Sequence, residues 1–186
     1  ASKMFTITVN PTPTVGGLFD QVVCNGFPTT PVVFSGAVIG TSYGWTNSNT
    51  TIGLAASGTG NIASFTATNT GTTPVTATIV VTPFINGCPG NTETFTIIVN
   101  PIITMNPVAD AEVCHNETVP AIAFASTLAT SYTWTNSNTS IGLAASGTGN
   151  IAAFGAINTS TSGIFGVVTV TPSANSCIGI PTDFTV

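Results

Sequence analysis

A nearly identical internal repeat dominates this chain. Residues 45–65 recur at 134–154 with only two substitutions, and the Val-Asn-Pro triplet at 9–11 recurs at 99–101. The offset between the two copies is therefore 89 or 90 residues. That period is too long for a solenoid repeat and matches the size of one small sandwich domain. The sequence predicts two tandem domains of the same kind.

The repeat also sets the expected boundaries. We expect the first repeat at 11–100 and the second at 101–186, where its final strand is truncated. Residues 5–9 match residues 95–99, so residues 1–10 are predicted to be the last strand of a preceding repeat. The alternative left open is strand donation, in which residues 1–10 pair with a neighbouring molecule.

The local pattern is that of short β-strands. Apolar residues alternate with Thr, Ser and Asn, and β-branched residues are abundant. Asn86-Gly87 predicts a hairpin turn, and Leu54-Ala55-Ala56 predicts one short helical turn. The candidate strands are 21–24, 31–35, 42–46, 62–68, 75–82 and 92–99, followed by 118–125, 131–135, 151–156, 164–171 and 182–186. This pattern predicts an all-β fold of two tandem antiparallel sandwiches.

Charge is scarce, and that excludes several classes of function. Charged residues make up 4% of the chain, the net charge is −5, and Lys3 is the only basic side chain. Nucleic-acid binding and contact with anionic lipid both need clusters of Lys and Arg. No run of apolar residues is long enough for a transmembrane helix. No nucleophile, base and acid are grouped in either copy, so we expect no enzyme, no cofactor, no nucleic-acid partner and no membrane insertion.

Four cysteines are placed symmetrically, two in each repeat with one Trp between them. The repeat symmetry favours the bridges Cys24–Cys88 and Cys114–Cys177, one disulfide in each domain. Unpaired buried thiols and metal or redox chemistry are the alternatives, although the spacing is unlike that of a zinc site. Structural disulfides predict an oxidising compartment, and so an extracellular or cell-surface location.

The aromatic residues are predicted to anchor the two cores. We expect Trp45 and Trp134 to pack against the disulfide of their own sandwich, together with Tyr43 and Tyr132. Exposed sugar-stacking platforms are the alternative. No catalytic, cofactor-binding or metal-binding residue is expected, and a calcium site at the domain junctions is left open.

These residues also carry a family resemblance. The Tyr-x-Trp patterns at 43–45 and 132–134 resemble the PKD superfamily of immunoglobulin-like β-sandwiches, although the acidic turn usual after the Trp is replaced by Thr-Asn-Ser-Asn. The whole chain is more similar to PKD-like repeats of very large Bacteroidetes surface proteins. The shared motifs are Val-Asn-Pro at 9–11, Cys-Asn-Gly at 24–26, residues 43–49, residues 52–62, Val-Thr-Pro at 81–83 and Gly-Cys-Pro-Gly at 87–90. The second repeat departs from them at 114–116 and 176–178.

The resemblance implies a secreted, adhesin-like or filamentous protein. We therefore expect a structural repeat module of a cell-surface adhesin or extracellular filament, acting as a stiff, disulfide-stapled stalk in surface attachment or gliding. Its partners would be neighbouring repeats of the same chain or identical subunits of a filament. The alternative is a carbohydrate- or protein-binding module of a secreted protein, with a surface glycan or protein as its partner.

Overall fold

The computed structural model describes residues 3–186, and within them the chain is built from β-strands and two 3₁₀ helices. It divides into two compact units, Ala1–Pro101 and Ile102–Val186. Residues 1–2, the start of the expected leading strand, lie outside the described part. Residues 3–10 form neither helix nor strand.

Unit 1 contains one sheet of six strands. Their order is β1, β6, β4, β2, β3, with β5 paired to the end of β4. All pairs are antiparallel except β1 with β6, which is parallel, so the antiparallel prediction holds for all pairs but this one. The strands are β1 (Gln21–Cys24), β2 (Ser42–Asn47), β3 (Ser57–Thr59), β4 (Val75–Ile85), β5 (Cys88–Pro89) and β6 (Glu93–Asn100).

A second layer faces this sheet and closes the core of unit 1. It consists of residues near 28–35 and 62–67, joined by the isolated bridges Val32–Ile62 and Pro28–Thr66. Val32 and Ile62 are buried against Ile79 and Val81 of β4. The segments 31–35 and 62–68, which were expected to be strands, therefore form only isolated bridges. One reason is that the amide of Phe34 donates to the side chain of Asn61 (2.9 Å) instead of to a neighbouring strand.

Unit 2 repeats this plan. Its main sheet has the order β12, β11, β8, β9, with β13 also paired to β11, and β7 and β10 form a small second sheet. Its strands are β7 (Thr118–Val119), β8 (Ser131–Asn136), β9 (Ser146–Thr148), β10 (Phe154–Gly155), β11 (Val167–Ala174), β12 (Cys177–Ile178) and β13 (Thr182–Thr185).

The pattern of residues explains the long central strand. Ala77, Ile79 and Val81 of β4 are fully buried, and the residues between them are half-buried, as expected when successive side chains point to opposite faces. At its end, Asn86 and Gly87 have φ angles of 46° and 80°. Positive φ at both central residues is what a type I′ hairpin turn requires, so the predicted turn is confirmed.

The predicted helical turn at Leu54-Ala55-Ala56 is wrong. The helical turn is a 3₁₀ helix at Thr50–Ile52, and unit 2 has the same helix at Thr139–Ile141. The Asn49 side chain accepts the amide of Thr51 and starts the helix, and Gly53, at φ 95°, ends it. The next strand along the chain, β3, was not predicted from the sequence.

The cysteines do not pair as predicted. Cys24 and Cys177 are disulfide-bonded, whereas Cys88 and Cys114 are exposed free thiols. The expected bridges Cys24–Cys88 and Cys114–Cys177 are therefore wrong, and so is the expectation of one disulfide in each domain.

Strand direction gives the physical reason in unit 1. Cys24 pairs with Asn100, and the preceding residue, Val99, pairs with Val75 at the start of β4. Cys88 pairs with Ile85 at the other end of β4. The ten residues along β4 correspond to about 30 Å at a rise of roughly 3.3 Å per residue. A disulfide needs Cα atoms within about 7 Å of each other, so these two cysteines cannot bond within one unit.

Unit 2 has the same arrangement. Cys177 pairs with Ala174 at the end of β11. The amide of Ala111 donates to Thr185, which pairs with the first residue of β11, and the chain then continues away from Ala174 to Cys114. The two cysteines of each unit therefore lie at opposite ends of its sheet.

Candidate functional site

Each copy of the 21-residue repeat, 45–65 and 134–154, forms a pocket around its Trp side chain. Trp45 lies on β2 opposite Gly58 of β3, and a Cβ atom on Gly58 would stand 2.3 Å from the indole. Trp134 and Gly147 repeat this contact with the same distance. Both indoles are buried, and neither Nε1 has a hydrogen-bond partner among the described residues. The within-repeat bridge against which each ring was expected to pack does not form.

The tyrosines lie beside these pockets. Tyr43 is half-buried, with its ring centroid 5.5 Å from that of the buried Phe34. Tyr132 is placed in the same way, 5.6 Å from Phe124. The four aromatic side chains therefore pack on the cores, and they do not form an exposed row of the kind that stacks on sugars.

Two buried asparagines, which the sequence analysis did not single out, hold the rest of the motif. Asn47 donates from Nδ2 to the carbonyls of Leu54 (3.0 Å) and Ala55 (3.3 Å), and its Oδ1 accepts the amide of Asn49 (2.9 Å). Asn136 makes the equivalent bonds in unit 2. Their placement two residues after each Trp, on the same face of the strand, is the signal that could have revealed them.

Two aspartates form hydrogen bonds with the last strand of their own unit. Asp20 accepts both the amide and the hydroxyl of Thr96 (2.7 and 2.9 Å), and Asp110 accepts the amide of Thr185 (2.6 Å). The backbone hydrogen bond from Thr96 is the main cause that lowers the pKa of Asp20. The bond from Thr185 lowers the pKa of Asp110 in the same way.

Unit 2 has an open cleft at the end that carries Cys114. Its volume is about 950 Å³, and its walls include residues 110–115 on one side and Ile164 and Phe165 on the other. In unit 1 this position is filled by residues 98–100 of β6, between β1 and the start of β4.

The leading segment, residues 3–10, has apolar side chains in solvent. Phe5, Ile7 and Val9 are 85%, 76% and 86% exposed. Their repeat equivalents in β6 are Phe95, Ile97 and Val99, which are at most 3% exposed. The same alternating pattern is therefore buried in a complete sandwich and exposed in the leading segment.

The described residues 3–186 contain no group of three or more His, Cys, Asp or Glu side chains that could hold a metal ion. Across the same residues, no helix has the length and apolar character needed to span a bilayer. His115 lines the cleft, and its Nδ1 accepts the amide of Asn158 (3.1 Å). This hydrogen bond joins two loops of unit 2. The cleft and the leading segment are thus the main features that the cores do not explain.

No family model matches the chain, and no curated protein does. Among solved structures, the two-domain IG1+IG2 fragment of DIP-gamma is similar at 11% identity and a TM-score of 0.48, over 94% of this chain and 96% of that one. Domains A168–A170 of titin are similar at 12% identity and a TM-score of 0.47, over 91% of this chain and 61% of that one. Mouse cadherin-23 EC22–24 follows at 9% identity and a TM-score of 0.42, over 95% and 66%.

The fold itself is all-β. In each unit a long central strand, β4 or β11, pairs with the strand that carries the Trp, and a buried hydrophobic cluster forms the core. In unit 1 the first strand joins the last in parallel, while the other strands run antiparallel. One fold can serve many unrelated functions, so the function has to be argued from particular features of the units.

Proposed function

We propose that this chain is a structural repeat module of a secreted cell-surface adhesin or extracellular filament, whose repeats are joined end to end as a stalk in surface attachment or gliding. One observation carries the proposal: Phe5, Ile7 and Val9 repeat the buried face of β6 and yet are exposed. Burying such side chains contributes roughly 1.5–3 kcal/mol each, so this segment gains most from a partner that has the shape of another repeat.

The chemistry of the surface fits an extracellular structural role. Only 4% of residues are charged, so few charges oppose edge-to-edge association of strands. The disulfide-bonded Cys24 and Cys177 favour an oxidising compartment. The similarity to PKD-like repeats of large surface proteins supports the same assignment. A binding module that stacks on sugars is less well supported, because Trp45 and Trp134 are buried.

The experiment is a comparison of self-association between three chains under reducing conditions, measured by sedimentation velocity over a range of concentrations. The unmodified chain should form species larger than the monomer as its concentration rises. Val9→Asp should remain a monomer, because it places a charge where Val99 is fully buried in the complete repeat. Thr8→Asp is the matched control, since its equivalent, Ile98, is half-buried.

Two results would refute the proposal. One is a chain that stays monomeric at every concentration, and the other is equal association of Val9→Asp and Thr8→Asp. The location is tested separately: an antibody against the chain should label intact, unpermeabilised source cells. A glycan array with binding that is lost on Tyr43→Ala, in a protein that remains folded, would favour the binding-module alternative.

A further inference from the structure

The two free cysteines are the repeat equivalents of the two bonded ones. Cys88 occupies the position of Cys177, and Cys114 occupies the position of Cys24. Cys24 and Cys177 are disulfide-bonded, whereas Cys88 and Cys114 are free and exposed. Each kind of cysteine, the first or the second of its repeat, is therefore disulfide-bonded in one copy and free in the other.

The layout of each unit explains why this pairing is available. The second cysteine lies at the end where the chain enters the unit: Gly90, beside Cys88, packs closely on the carbonyl of Pro13, and Ile180, near Cys177, donates to Ile103. We call this the entry end. The first cysteine lies at the other end, which we call the exit end, where β6 finishes in unit 1. In a continuous chain the exit end of one repeat leads directly into the entry end of the next.

Asn10 supplies an independent observation at the entry end of unit 1. Its Nδ2 lies 3.6 Å from Sγ of Cys88, and its Oδ1 accepts the side-chain amide of Asn86 (3.0 Å). Asn10 is the repeat equivalent of Asn100, which pairs with Cys24 across the parallel strands. A preceding repeat whose last strand ends at Asn10 would therefore place its own first cysteine beside Asn10, about 5 Å away at the usual strand spacing. That position is next to Cys88.

We propose that Cys88 and Cys114 are linking thiols that bond this chain covalently to further copies of the same repeat, first cysteine of one repeat to second cysteine of the next. This inference rests on the proposed function, because it needs neighbouring repeats at both ends. Each disulfide spans a junction between two repeats, so a covalent bond carries tension along the array across that junction.

The reaction is thiol–disulfide exchange with a small-molecule disulfide as oxidant. The thiolate of Cys88 attacks one sulfur of oxidised glutathione, which forms a mixed disulfide and releases one glutathione thiolate. The thiolate of Cys114 from a second copy then attacks Sγ of Cys88 and releases the second glutathione. Two protein thiols lose two protons and two electrons, and one glutathione disulfide becomes two thiols.

The test uses the 186-residue chain in two variants, each with one remaining free thiol. Cys88→Ser retains Cys114, and Cys114→Ser retains Cys88. Both substitutions fall at exposed residues outside the cores, so both variants should fold. In a glutathione redox buffer, each variant alone should stay monomeric on non-reducing electrophoresis. An equal mixture should give a covalent dimer that returns to monomer on reduction.

Peptide mapping then identifies the bond. Peptic digestion at low pH avoids thiol exchange and does not depend on the single Lys. The mixture should yield a peptide pair that joins Cys114 to Cys88. Dimers of comparable yield in all three samples would show random collision of exposed thiols and would overturn the inference, as would the absence of dimer from the mixture.

A parallel run separates this inference from the proposed function. Sedimentation of the same mixture under reducing conditions reports association without any covalent link. Association without a cross-link in the oxidised sample would mean that the repeats assemble but are not bonded, which overturns only the linking role of Cys88 and Cys114. Loss of both association and cross-linking would overturn the proposed function as well.

Discussion

The contact between the indole and the neighbouring glycine gives the sharpest prediction about stability. In Gly147→Ala, the new Cβ would lie 2.3, 2.6 and 3.0 Å from three carbon atoms of the Trp134 ring. Carbon atoms in favourable contact are about 3.5–4.0 Å apart, so the ring has to move by roughly 1 Å or more in a packed core. Overpacking of this kind costs about 1–3 kcal/mol.

Gly163→Ala is the matched control, because the added Cβ meets nothing within 4 Å and Gly163 does not have a positive φ. Urea unfolding followed by tryptophan fluorescence should show Gly147→Ala less stable by about 1–3 kcal/mol, and Gly163→Ala unchanged within roughly 0.5 kcal/mol. Near 60 °C, 1 kcal/mol in a domain of this size corresponds to about 4–8 °C in Tm. Equal stability of the two variants would show that the indole is not confined by Gly147.

Three further outcomes follow from contacts in the structure. Hydrogen bonds hold the pKa of Asp20 below its value in the unfolded chain. Its carboxylate therefore stabilises the fold at pH values above the unfolded pKa, and this contribution is lost as the pH falls through the folded pKa. Asp20→Asn should flatten the acidic limb of a plot of unfolding free energy against pH. Asn47→Ala leaves buried backbone groups without partners and should cost about 1–3 kcal/mol in urea unfolding. Alkylation of the native chain followed by mass spectrometry should label Cys88 and Cys114, and labelling of Cys24 before reduction would contradict its disulfide-bonded state.

The sequence predicted the parts of the fold that depend on local pattern. The central strand, predicted at 75–82 and found at Val75–Ile85, the Tyr-x-Trp strand and the Asn86-Gly87 turn all follow from alternation and turn chemistry. The second layer was harder to predict. Residues 31–35 have the alternating pattern of a strand, but the amide of Phe34 donates to the side chain of Asn61 instead of to a neighbouring strand. The short helix was misplaced because its start depends on a capping side chain, Asn49, that hydropathy does not register.

The exposure of the leading segment was not predictable from pattern alone. The sequence shows that residues 5–9 match residues 95–99, but only the structure shows that Phe5 is exposed where Phe95 is buried. The match alone therefore favoured the last strand of a preceding repeat and left strand donation open as the alternative.

The cysteine pairing shows why a repeat sequence can point to the wrong bonds. With one cysteine of each kind in every repeat, symmetry allows two consistent patterns: a bond within each repeat, or a bond from each repeat to the next. Both keep every repeat equivalent in a long array, and they differ only at its two ends. Strand direction decides between them, because it places Cys24 and Cys88 about 30 Å apart along one sheet. A repeat whose two cysteines lie at opposite ends cannot bond them to each other, and the proposed links would use both of them by bonding neighbouring repeats.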